Sequence, residues 1–206
     1  MADVTFIDGA RPGDIARWVH DHLGAALART SAPIAIAVPG GSSPFPILDA
    51  LAAMPLAWER ITVWPTDDRI VPEDHPANNA GRIRARLAPA GAEVLALSEM
   101  EQVPHFALAW LGMGADGHIA SLFPSADPRA DDDQPIRRLT PDPLPPEAPF
   151  ERVTLTIPAL LASDALLFTI AGADKRAVFE AARRGESDTP VARLLAAARQ
   201  PVTCFT

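Results

Sequence analysis

Four short blocks of this chain combine residue types that can act on a small anion, and each lies beside an apolar run. The densest is Leu111-Gly112-Met113-Gly114-Ala115-Asp116-Gly117-His118-Ile119-Ala120-Ser121-Leu122-Phe123-Pro124. Its three glycines within six residues, Gly112, Gly114 and Gly117, imply an unusual backbone path. Asp116 and His118 stand two positions apart, close enough for a carboxylate–imidazole hydrogen bond, direct or through the turn. An imidazole titrates near neutral pH, so it can accept a proton and give it back. A histidine in a loop is ordinarily just solvated; the glycine setting and the position after an apolar run set this one apart.

The second block is Thr66-Asp67-Asp68-Arg69-Ile70-Val71-Pro72. Its paired carboxylates could orient a proton-transfer group, and the planar guanidinium of Arg69 suits phosphate oxygens. A solvated loop with a local ion pair is the plain alternative. The third is Pro39-Gly40-Gly41-Ser42-Ser43-Pro44. Gly40 and Gly41 let backbone approach a ligand, Ser42 or Ser43 can cap the next helix, and Pro44 suits its first turn. The free N–H groups of a helix start form an anion site, although a tight turn with a cap accounts for the same residues. No Gly-Lys-Ser/Thr follows, and the dinucleotide spacing is absent. The fourth is Gly172-Ala173-Asp174-Lys175, joined by Arg152. A lysine in the first turn of a helix opposes the helix dipole unless an anion sits there. Arg152 taken alone reads as a surface residue.

The elements that must hold these blocks follow from periodicity. Residues 4–7, 34–38, 61–64, 93–97, 106–111, 153–156, 165–170 and 202–205 read as strands. Residues 14–28, 44–54, 79–87, 173–184 and 191–198 read as helices, with a short helical piece at 159–161. In the first helix Ile15, Val19, Leu23 and Leu27 recur every four residues. Strands alternating with helices predict an α/β fold, a mostly parallel sheet with helices on both faces. Residues 1–206 are read as a single domain in which the Pro- and Asp-rich tract of about 124–150 is a long surface loop. Ligands of such sheets bind beyond the carboxyl ends of strands, where the four blocks fall.

Composition narrows the partners. A net charge of −8 argues against a nucleic-acid binder, which needs a basic face. The single cysteine, Cys204, rules out an intramolecular disulfide and points to a reducing, cytoplasmic setting. No secretory signal is expected at the start, and no apolar run is long enough for a membrane. His20 and His22, two apart on a helix, point away from each other, and no cluster has metal-ligand spacing. The Gly-x-Ser-x-Gly elbow of serine hydrolases is missing.

Taken in order, these blocks resemble the 6-phosphogluconolactonase family. The likeness runs from Gly40-Gly41-Ser42-Ser43-Pro44, through Asp67-Asp68-Arg69-Ile70-Val71-Pro72 with Asn78-Asn79, to the Gly112–Pro124 block, Arg152-Val153-Thr154-Leu155-Thr156, Gly172–Lys175 and Pro190-Val191. The resemblance implies a Rossmann-like fold similar to that of glucosamine-6-phosphate deaminase. It also implies hydrolysis of 6-phosphoglucono-δ-lactone to 6-phosphogluconate, a step of the oxidative pentose phosphate pathway. The substrate phosphate is expected on Gly40, Gly41, Ser42 and Ser43, with Arg69, Arg152 and Lys175 supplying charge. His118 is the expected general base, oriented by Asp116 or by its rival Asp67. An activated ester needs neither metal nor organic cofactor.

Departures matter too. The family has Asp-Glu-Arg where Asp67-Asp68-Arg69 stands, and a helix between the strands matching 93–97 and 106–111, where this chain keeps only 98–105. That segment either crosses extended or changes the sheet. Deaminases follow Asp-Gly-His-Ile-Ala with Phe-Asn-Glu-Pro; here Ser121-Leu122-Phe123-Pro124 lacks the glutamate, which favours lactone hydrolysis. The alternatives are a sugar-phosphate isomerase or deaminase, and a non-catalytic sugar-phosphate sensor of the same fold. Oligomeric state is not legible.

Overall fold

The apolar run Phe106–Leu111 (β6) is buried at every position in the computed structural model, which describes residues 3–98, 102–144 and 148–206. A strand covered on both faces must be apolar throughout, and β6 lies at the middle of the main sheet. The other strands of that sheet are Val4–Ile7 (β1), Ile34–Val38 (β2), Ile61–Pro65 (β3), Glu93–Val94 (β5), Leu166–Thr169 (β9) and Val202–Phe205 (β10). Their order is β1-β10-β9-β6-β2-β3-β5, and every pairing is parallel.

Helices cover both faces. Pro12–Ala28 (α1), Phe45–Ala52 (α2) and Asn79–Leu87 (α3) pack on one face, where Val19, Leu23, Leu48, Leu51 and Ile83 meet Ile36, Val63 and Trp110. On the other, Ile157–Leu161 (α4), Ala173–Arg183 (α5) and Pro190–Ala197 (α6) bring Leu160, Phe179, Val191 and Leu194 against Leu111, Phe168 and Cys204. Among the described residues, no helix is long and apolar enough to cross a membrane.

One feature departs from the sequence expectation. The tract 124–150 is not a plain loop: Ile136–Leu139 (β7) is a strand. It pairs antiparallel with Arg152–Leu155 (β8), which pairs in turn with Asp67–Arg69 (β4) to make a separate three-stranded sheet. Neither β7, Ile-Arg-Arg-Leu, nor β4, Asp-Asp-Arg, carries a strand-like composition. Both exist because β8 supplies hydrogen-bonding partners on its two edges.

The short connection at 98–105 leaves the sheet parallel. It joins β5, at the edge of the sheet, to β6, from which β3 and β2 separate it in the strand order. Residues 95–98 and 102–105 contain no helix or strand, and Leu97, with Leu95 and Val103, packs on the core beside Trp64 and Phe106. Residues 99–101 of this connection lie outside the described residues.

Candidate active site

Strand order runs outward in opposite directions from the adjacent pair β2 and β6, which opens a crevice at their carboxyl ends. A cleft of about 480 Å³ occupies it. Gly40, Gly41 and Ser43 reach it after β2, Asp67 and Arg69 after β3, Gly114 and His118 after β6, and Lys175 after β9. Seven of the ten residues singled out in the sequence therefore share one cavity; Ser42, Asp116 and Arg152 do not line it.

The glycine block folds as its composition demands. The Gly114 N–H donates to the His118 carbonyl at 2.9 Å, and Gly117, at φ +79°, donates to the Gly114 carbonyl at 3.1 Å. This tight path leaves no room at Gly114: a Cβ there would lie 2.2 Å from the His118 ring. Nδ1 of His118 lies 2.6 Å from Oδ1 of Asp116, which also accepts from the His118 N–H at 3.2 Å. An ionised Asp116 fixes the imidazole proton on Nδ1, so Nε2, which has no partner among the described residues, carries the lone pair. Burial works to raise the Asp116 carboxyl, but its electrostatic attraction to His118 and the hydrogen bonds from that residue prevail and hold it below the usual carboxylate range. Its own side opens on a second hollow with Phe123, Pro141 and Pro143, so His118 forms the wall between two spaces. Just beyond, Ala120 sits at φ +50°, a left-handed strain of about 1–2 kcal/mol for a residue with a Cβ. That turn aims the Ser121 Oγ at Oδ2 of Asp67, 2.5 Å away.

The two adjacent aspartates part company. Asp67 is engaged by Ser121 and Asn79 rather than by His118. Asp68 turns inward and accepts three backbone N–H groups, from Arg69 at 2.7 Å, Asn79 at 2.6 Å and Ala80 at 2.9 Å. Burial raises its carboxyl, against the pull of those three donors. Asp68 is thus a brace for the start of α3. Asp68→Ala is expected to cost about 1–3 kcal/mol of stability, because it strands buried amides. Urea denaturation would check this, and an unchanged midpoint would show that water or another group satisfies them.

Arg69 donates Nη1 to the Ala77 carbonyl and to Oδ1 of Asn79, both at 3.0 Å. Arg152 is its antiparallel partner in β8. It is buried rather than on the surface, with Nη2 on the Ala148 carbonyl at 2.8 Å and Nε and Nη1 unpartnered. Burial lowers its pKa and the nearby Arg69 charge adds to this, opposed by Asp67 and Asp68. Like charges directly opposite destabilise a strand pair unless an anion offsets them. Lys175 stands in the first turn of α5, after Gly172 at φ +95°, and has no ion-pair partner among the described residues. The expected serine cap on α2 is absent: Pro44 occupies the N-cap position and no side chain bonds the helix start. Both serine hydroxyls remain uncommitted, as do the N–H groups of residues 41–43, among the described residues.

Asn79 and Ser121 are the site residues that reading for reactive groups passed over. They fell within quoted blocks, but an amide and a hydroxyl announce no chemistry until their partners are known. The other histidines are engaged elsewhere: His22 meets the Ala107 carbonyl, His105 meets Asp164, and His75 accepts from the Ala77 N–H.

Residues 12–203 match the family described as glucosamine-6-phosphate isomerases/6-phosphogluconolactonase. The chain belongs to this family. Two relatives named 6-phosphogluconolactonase illustrate its reach. The one from Mesorhizobium japonicum is 34% identical over 93% of this chain and 88% of its own length. The one from Pseudomonas aeruginosa is 36% identical over 93% and 84%. The crystal structure of 6-phosphogluconolactonase from Thermotoga maritima superposes with a TM-score of 0.81 over 100% of this chain and 99% of that one. At 23% identity that likeness speaks for the family fold.

Proposed function

We propose that this chain hydrolyses 6-phosphoglucono-δ-lactone to 6-phosphogluconate, with His118 as general base. The observation that carries the reading is the Asp116–His118 pair, which leaves Nε2 as the basic nitrogen of a residue lining a cleft that also holds Arg69 and Lys175. Nε2 takes a proton from water as its oxygen bonds to the lactone carbonyl carbon. The tetrahedral adduct collapses, the bond from that carbon to the ring oxygen breaks, and the imidazolium returns the proton to that oxygen. Backbone N–H groups of a glycine loop stabilise the transient oxyanion.

The phosphate is assigned to the free N–H groups of residues 41–43, the hydroxyls of Ser42 and Ser43, and Lys175, with Arg69 at its side. Gly40 lets that loop lie close, and buried Arg152 strengthens the positive field behind Arg69. The reaction belongs, on this reading, to the oxidative pentose phosphate pathway in the cytoplasm, which suits a free, buried Cys204. No nucleic acid or membrane partner is needed.

The test is hydrolysis of freshly generated lactone against a no-enzyme control, since the lactone also opens spontaneously. Ammonia release from glucosamine-6-phosphate would move the assignment to a deaminase; tight binding without turnover would move it to a sensor. Lys175→Ala is expected to raise KM for the phosphorylated lactone about tenfold or more, as loss of a charge-assisted contact does. Turnover of an unphosphorylated lactone should be unaffected by the change. Equal turnover of both lactones by the unaltered enzyme would remove the phosphate assignment.

A further inference from the structure

Asn79 touches more of the site than any reactive group does. It is the first residue of α3, only 2% exposed, and it lines the cleft. Its backbone N–H is held by Asp68 at 2.6 Å, which fixes where the side chain starts. Nδ2 donates to the Asp67 carbonyl at 2.8 Å and lies 3.5 Å from the Asp67 carboxylate. Oδ1 accepts from Arg69 Nη1 at 3.0 Å. The amide can sit only this way round, because the guanidinium only donates and the Asp67 oxygens only accept. The same side chain fills the space beside Gly40, where a Cβ would come within 2.0 Å of it. Asp67, in turn, is bonded to Ser121 from the loop after β6.

We propose that Asn79 is a positioning residue: one buried amide locks the guanidinium of Arg69 and the carboxylate of Asp67 into the arrangement that receives the phosphorylated ligand. Both ends of the amide are taken by protein groups, so it acts through Arg69 and Asp67 rather than on the ligand. Alanine at this position frees Arg69 to adopt other rotamers, and each encounter with ligand must then order it again. The inference rests on the reading above in taking Arg69 to face the substrate.

The experiment is a double-mutant cycle on the binding of 6-phosphogluconate by calorimetry, with lactone turnover measured in parallel. Asn79→Ala is expected to weaken binding about tenfold, as loss of a hydrogen bond to a charged group does. In an Arg69→Ala background the same change should weaken it by about twofold or less, since partners acting as a unit are not additive. A role in stability alone would lower the melting temperature and give effects that multiply; that result, or unaltered binding by Asn79→Ala, overturns the proposal. Asn79→Asp is the second variant, for the case that alanine does not fold. It keeps an acceptor for Arg69, so binding should hold within about threefold of the parent. A folded Asn79→Asp protein that binds as weakly as Asn79→Ala overturns it too. Coupling without lactone turnover would fail the hydrolase reading and leave the positioning role standing. Turnover without coupling would do the reverse, and no binding by the unaltered protein would end both.

Discussion

His118→Ala is expected to lower kcat for the lactone by about 10²–10⁴-fold, the usual loss when a general base is removed. Stability should change by less than about 1 kcal/mol, because the side chain is partly exposed and its removal opens no core cavity. Asp116→Asn should move in the same direction. An amide can turn its NH2 toward Nδ1, which shifts the imidazole proton to Nε2 and takes away the lone pair facing the cleft. The measurement is initial rate on fresh lactone, with the spontaneous rate subtracted. Loss of activity in His118→Ala with retained 6-phosphogluconate binding would establish the base. Near-normal turnover would keep the reaction and overturn the role of His118.

Gly114→Ala is expected to be nearly as damaging, although it adds one methyl to a residue with no reactive group. The new Cβ would stand 2.2 Å from Nδ1 and Cε1 of His118 and 2.6 Å from Oδ1 of Asp116. Real contacts are never so short, so something must yield. What yields is the end of a surface side chain, 32% exposed, and not the buried sheet. The fold is therefore expected to survive, with a cost of about 1 kcal/mol, while the Asp116–His118 hydrogen bond breaks. A loss of kcat of about 10²-fold or more with a thermal midpoint close to that of the parent would fit. Full activity would mean that the loop relaxes without moving the imidazole, and that the pair is less constrained than its glycines imply.

The alternation of strand and helix was legible because buried strands such as Phe106–Leu111 need uninterrupted apolar runs, and surface helices such as Pro12–Ala28 need an apolar stripe. The second sheet was not legible. A strand made of Asp67, Asp68 and Arg69 carries no local signal; it exists because β8 pairs with it.

The site divides along the same line. By itself, the sequence determined that Asp116 and His118 would share a glycine-rich turn, since two-residue spacing fixes their reach locally. It also determined that the Gly40 and Lys175 blocks would lie at strand ends, the place where parallel sheets bind ligands. Only the tertiary structure decided that Asp68 braces a helix while Asp67 meets Ser121, that Arg152 is buried opposite Arg69, and that Asn79 joins the Gly40 turn to Asp67 and Arg69. These outcomes depend on which residues meet across tens of positions in the chain, and burial and hydrogen-bond partnership at such a distance leave no trace in local spacing.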